Sequence, residues 1–354
     1  MEWRGWSQPD LAYVLGVNTA TVNQIVNGRR GISPDMAKAL AVAFRVPVQS
    51  IAAIQAQWEL DRAREPDPAV AARARVQSEY PLREMIKRGW IEGDRLETDL
   101  VQFFGVSDLA EVPHLDHAAK RTSDEDIPPS QLAWLYRVRQ LAGEMPTPPF
   151  SRRKLLDAIE RMKTMRHSPE EVRHIPRLLH EAGVRFVVVE GLPGGKIDGV
   201  CFWLDDQSPV IGMSLRFDRI DNFWFVLLHE CTHVIHGHGK AQPIVDVEIV
   251  GRTGADISDE EVIADCEALN FCVPQDKMHS FYARKAPIFS ERDVVAFAGV
   301  NGVHPGLVVG QLQHKLGRFD FLRRHLVAVR SFILPSAMVD GWGDVAFVSR
   351  GAPA

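Results

Sequence analysis

Phe223-Trp224-Phe225-Val226-Leu227-Leu228-His229-Glu230-Cys231-Thr232-His233-Val234 is the stretch from which the rest of the chain can be read. Its apolar run has no turn residue and predicts a buried helix. Two histidines four residues apart share one face of that helix, so both imidazoles can reach one metal ion. Glu230 stands beside the first and has the chemistry of a general base. A zinc centre of the catalytic type is the expectation.

Such a centre takes three protein ligands and leaves a position for water. The nearest spare histidines are His236 and His238. The metzincin spacing would require Gly at 236 and His at 239, whereas the chain has His236 and Gly239, which excludes that class. Downstream, Ser258-Asp259-Glu260-Glu261-Val262-Ile263-Ala264-Asp265 puts Glu261 and Asp265 one helical turn apart. One of them can bind metal while the other orients a ligating histidine. Ser258 and Glu261 equally read as a helix capping box with no chemistry attached. Spacing alone leaves both readings open.

Working outward, the runs Val184–Val189, Gly199–Leu204 and Pro209–Leu215 are β-rich and broken by Gly and Asp turns. Helical periods cover 152–164, 169–182, 221–236 and 258–272, and from Glu291 a helix, a turn at 299–302 and a helix at 305–316 precede a short β-like tail. Met145-Pro146-Thr147-Pro148-Pro149 reads as a linker. The expected organisation is a helix-turn-helix region at 1–62, a helical connector at 63–149, an α+β metal-binding domain at 150–290 and a helical segment with a tail at 291–354.

The 354 residues carry a formal net charge of -5, with 45% hydrophobic and 25% charged side chains. A multidomain globular protein fits, and a generally basic nucleic-acid coat does not. Four cysteines without C-x-x-C spacing suggest buried free thiols in a reducing cytoplasm. No signal peptide is legible, and no run reaches the roughly 18 apolar residues of a membrane span.

The residues around the motif resemble the ImmA/IrrE family of zinc metallopeptidases, a gluzincin-like group. Strands, then H-E-x-x-H, then Glu261-Val262-Ile263-Ala264-Asp265 closed by Phe271-Cys272-Val273-Pro274 carry the resemblance, with Asp198-Gly199-Val200 before and Asn301-Gly302-Val303-His304-Pro305 after. It extends over about 150–315. It implies a zincin-like fold, Zn2+ held by His229, His233 and Glu261, Asp265 as the partner behind a ligand, and Glu230 as catalytic base. Two departures stand out: Gly237 where the family often has His, and a long segment from Gly237 to Asp256 between the metal elements. A hydrogen-bond donor for the oxyanion is also expected, with His304, His236 and Tyr282 as candidates.

At the other end, Ser7 caps a short helix, Gly16-Val17-Asn18 turns the chain, and Asn18 caps a second helix from Thr19 to Val26. Helix, Gly-containing turn and helix is the plan that lays its second helix in the major groove of DNA. Thr19, Ala20, Thr21, Asn23 and Gln24 suit base edges, and Arg29 and Arg30 suit phosphates. Gly5-Trp6-Ser7-Gln8 through Asn27-Gly28-Arg29-Arg30-Gly31-Ile32 resembles the XRE group of helix-turn-helix domains, most of all HigA-type antitoxins. Those domains usually begin with a helix ahead of Gly5, where four residues stand here, so the resemblance leaves two expectations: a start placed too late or a domain cut short. The expected partners are operator DNA, bound as a homodimer, together with a repressor or antitoxin substrate or a cognate toxin. Two functions follow. One is a DNA-binding zinc endopeptidase of stress or prophage control that cleaves a regulatory protein, its own chain included. The other is a HigA-like regulator or antitoxin whose zinc domain senses a signal or neutralises a toxin.

Overall fold

A computed structural model describes residues 1–67, 69–109, 128–240, 243–247 and 258–346. They divide into two units, Met1–Ala72 and Arg73–Ala354.

In the first unit a 3-10 turn at Glu2–Arg4 precedes α1 (Gln8–Leu15), α2 (Thr19–Val26), α3 (Pro34–Phe44) and α4 (Val48–Arg62). Ser7, Asn18 and Ser33 each accept a backbone N–H of the first helical turn, so three short polar side chains start three helices. Gly16 ends α1 at φ 70°, a left-handed position that costs glycine little. Leu11, Ala12, Val22 and Leu40 form the core.

The second unit begins within α5 (Ala69–Glu79), followed by α6 (Leu82–Lys87), α7 (Leu96–Phe104), α8 (Pro129–Gly143), α9 (Arg152–Lys163) and α10 (Ile175–Glu181). Strands β1 (Arg185–Val189), β2 (Ile197–Trp203) and β3 (Pro209–Met213) lead into α11 (Ile220–His236). After it come β4 (Ile244–Val247), α12 (Asp259–Cys272), α13 (Gln275–Lys285), α14 (Glu291–Val300), α15 (Pro305–Leu316), α16 (Arg330–Ile333) and β5 (Met338–Asp340). The sheet order is β4-β2-β3-β1-β5, with β1 parallel to β3 and β5, and β2 antiparallel to β3 and β4.

Both faces of this sheet are covered. Phe186, Val188, Cys201, Ile211 and Met213 point to the side of α11, while Val187, Val189, Val200, Val210 and Val245 point to the side of α8. Alternation along each strand makes the division. Residues 73–109 and 128–143, expected as a connector, supply that second layer: Trp134 is fully buried and its Nε1 donates to the Val189 carbonyl at 2.9 Å. The stretch is therefore a layer of the second unit and not a spacer. Arg137, also buried, forks onto Asp340 of β5, whose other oxygen accepts from Trp90 Nε1 at 2.9 Å. Segment 291–316 packs its second helix on α11, at a point where Gly310 admits Asp221: a Cβ there would lie 2.3 Å from Asp221 Oδ2.

Strand β4 was not foreseen. It falls within the long segment after Gly237, of which 241–242 and 248–257 lie outside the described residues. The thiols also need a correction: Cys201, Cys231 and Cys272 are buried, but Cys266 is exposed. No helix of the described residues is long and apolar enough to cross a membrane.

Candidate metal centre

Helix α11 is buried almost from end to end, from Ile220 to Val234, and this holds its two histidines rigid. Their Nε2 atoms face each other at 3.0 Å. Helix α12 packs along α11 with a narrow buried face of Glu261, Ala264, Ala268, Phe271 and Cys272. Its first turn delivers Glu261, whose oxygens lie 3.3 Å from His229 Nε2 and 3.5 Å from His233 Nε2. Ser258 accepts the Glu261 N–H at 3.4 Å. The sequence alternatives thus divide between backbone and side chain: the backbone of Glu261 is capped while its carboxylate turns to the histidines.

One further donor was missed. Asp246 on β4 brings Oδ2 to 3.3 Å from His229 Nε2. His229, His233, Asp246 and Glu261 each offer an atom within 4.8 Å of the others, and all four are buried. Two imidazole nitrogens and two carboxylates fit zinc in chemistry and number. A signal for the strand was present: Ile244-Val245-Asp246-Val247 is β-branched at three of four positions. Nothing local showed where its aspartate would point.

The outer contacts fix the rings. Asp265 Oδ1 lies 2.9 Å from His229 Nδ1. For His233 the same position is taken by a histidine: His238 Nδ1 is 3.0 Å from His233 Nδ1. Gly237, at φ 73°, turns the chain at the end of α11, and the His238 carbonyl is held by Trp203 Nε1 at 2.8 Å.

Glu230 points away from solvent, into the space over Gly199 of β2. A Cβ on Gly199 would fall 2.0 Å from Glu230 Oε1, so only glycine leaves this room. In the register of β2 and β4, Gly199 stands opposite Asp246. The Glu230 and Asp246 carboxyls therefore meet above one glycine. Burial, and then the Asp246 carboxyl beside it, pushes Glu230 well above the usual carboxylate range. Burial drives His233 down to about 3. Burial opposes a charge on His229 as well, but Asp246, Asp265 and Glu261 outweigh it and raise that ring well above the histidine range. Burial also raises the thiols of Cys201 and Cys231, which keeps them protonated and unsuited to act as ligands.

The three candidates for an oxyanion donor sit elsewhere in the pattern of contacts. His304 caps α15: its Nδ1 accepts the Gly306 N–H at 3.0 Å, and its charged neighbours are His325 and Glu170. Tyr282 lies against Phe289, beneath Lys315. His236 stacks on His238 with centroids 5.5 Å apart, and of the three it alone touches a residue of the centre.

In the first unit, Thr19, Ala20, Asn23 and Gln24 are exposed on α2, and Arg29 and Arg30 are exposed after it. Thr21 is half-buried and spends its hydroxyl on Asn18 Oδ1 at 2.7 Å. Asn23 donates to Gln8 Oε1 at 3.1 Å, which ties the two helices of the motif together. The helix-turn-helix family model matches residues 1–51. No curated protein matches the chain. The N-terminal unit thus carries a helix-turn-helix of the XRE type, a DNA-binding module of transcription regulators.

Proposed function

We propose that the chain is a zinc-dependent endopeptidase tied to transcription control, in which Met1–Ala72 binds operator DNA and the second unit cleaves a regulatory protein such as a repressor or antitoxin. The observation that carries this reading is the convergence of His229, His233 and Glu261 with the buried carboxyl of Glu230 next to them. A purely structural metal site has no need of that acid. The resemblance to ImmA/IrrE peptidases points the same way.

Zinc held there supplies a Lewis acid for a peptide carbonyl and acidifies a water. The chain does the rest. Asp265 and His238 hold the two rings so that both Nε2 atoms face inward. Glu230 takes the proton of the attacking water and passes it to the leaving amine, so that water adds across the broken C–N bond. Packing around α11 excludes bulk water and strengthens these interactions.

The test is intact mass spectrometry of zinc-loaded wild type and Glu230→Gln, each incubated alone and with β-casein as an unfolded probe. Cleavage of either chain by wild type only is the expected result. Equal stability of both proteins and of casein at full zinc occupancy overturns the peptidase reading. One observation favours the second reading, a regulator or antitoxin with a closed zinc domain: Asp246 is a fourth protein donor where a catalytic centre keeps an opening.

A further inference from the structure

We propose that β4 is an internal stand-in for a substrate strand and that Asp246 is a fourth ligand to the zinc, so that the folded chain is a latent peptidase. This rests on the zinc-peptidase reading above and adds the control of the same site: an extended polypeptide such as casein displaces β4 and is cleaved, whereas a small probe that cannot pair with β2 finds the centre closed.

Asp246 occupies a telling place. Its carboxyl approaches His229 Nε2 at 3.3 Å, and its position on β4 stands opposite Gly199, over which the Glu230 carboxyl lies. That is the space between a metal and its general base, which a hydrolytic water must fill. Asp246 is 1% exposed and the two histidines are 0% exposed, so all three donors are buried together. Four protein donors make a closed centre of the structural kind.

Strand register makes the arrangement specific. Ile244, Val245 and Asp246 pair with Cys201, Val200 and Gly199, and a register shift falls between Ile197 and Gly199. Such irregularities re-aim side chains next to active sites. Val245 faces the α8 layer, so alternation turns Asp246 toward α11 and the metal donors. Only at Gly199 is there space for the acid, because the opposing position has no side chain.

Strand β4 stands at the end of the sheet and is four residues long. Its sole strand partner among the described residues is β2. When β4 leaves, the edge of β2 offers backbone N–H and C=O groups alongside Glu230, which is how an extended polypeptide is captured by strand addition. The occupant that fits is an unstructured, extended peptide segment running antiparallel to β2, as β4 does. The same departure removes Asp246 and opens the fourth position.

The experiment uses full-length protein loaded with Co2+, with acetohydroxamate as a small metal-directed probe. Wild type, Asp246→Ala and Asp246→Asn are titrated, and the visible d–d bands report coordination; circular dichroism checks that each variant is folded. Asp246→Asn keeps shape and hydrogen bonding, so it serves if the alanine variant fails to fold. Wild-type bands are expected to stay unchanged, while both variants shift and bind acetohydroxamate with a Kd at least about tenfold lower than wild type. Equal binding by all three overturns the inference while leaving an open three-ligand centre. Failure of wild type to take up Co2+ overturns the zinc reading itself.

Discussion

Gly199 on β2 and Glu230 on α11 are in such close approach that a single methyl group cannot stand between them. A Cβ at 199 would lie 2.0 Å from Glu230 Oε1 and 3.0 Å from Val226 Cγ1. Gly199→Ala is therefore expected to displace Glu230, the acid proposed for catalysis, and cost about 1–3 kcal/mol by overpacking. His229, His233 and Glu261 are not touched, so zinc content should stay full while casein cleavage is lost. Zinc analysis and a thermal melt of the same sample check it; an active alanine variant would contradict the assigned position of Glu230.

Asp265 holds His229 through Nδ1 at 2.9 Å. Asp265→Ala should weaken zinc binding by roughly 10–100-fold, the usual effect of removing a carboxylate behind a ligating histidine. Competition with a chromophoric chelator measures this. An unchanged affinity would show that ring orientation is set by packing alone.

Arg137 and Asp340 lie 203 residues apart in sequence and form a buried pair with Trp90 and the Ala346 carbonyl as further partners. Arg137→Ala leaves an uncompensated buried carboxylate and should destabilise the second unit by about 3–5 kcal/mol. The double replacement Arg137→Met with Asp340→Leu is expected to recover much of that loss, because no charge then remains buried. Calorimetry of the three proteins decides it. A double variant no better than the single would mean that the pair is needed for shape rather than for charge balance.

Arg29 and Arg30 are exposed beyond α2, with their backbones tied to the Gln24 carbonyl at 2.8 and 3.2 Å. If they meet phosphates, Arg29→Ala and Arg30→Ala each reduce the salt dependence of binding by about one unit of slope and weaken all duplexes alike. Gln24→Ala should instead cost about 1–3 kcal/mol on preferred sequences only. Fluorescence anisotropy on random and selected duplexes separates the two kinds of contact. A salt slope unchanged by either arginine variant would remove them from the interface.

Much of this protein was written in near neighbours. The helix from Ile220 to His236 with both its histidines, the caps at Ser7, Asn18 and Ser258, and the three strands ahead of α11 all rest on periodicities or hydrogen bonds that span a few residues. The sequence by itself therefore determined the helix face that carries both histidines, the acid beside it and the helix-turn-helix. Tertiary structure decided three things. It turned the Glu261 carboxylate to the histidines rather than to the helix cap. It made residues 73–109 and 128–143 a layer against the sheet instead of a connector, because Val187, Val189 and Val200 needed covering. It also set Asp246 opposite Gly199 and beside His229. Each of these depends on which strand pairs with which and in what register, and that is settled by burial across the whole unit, not by the residues on either side.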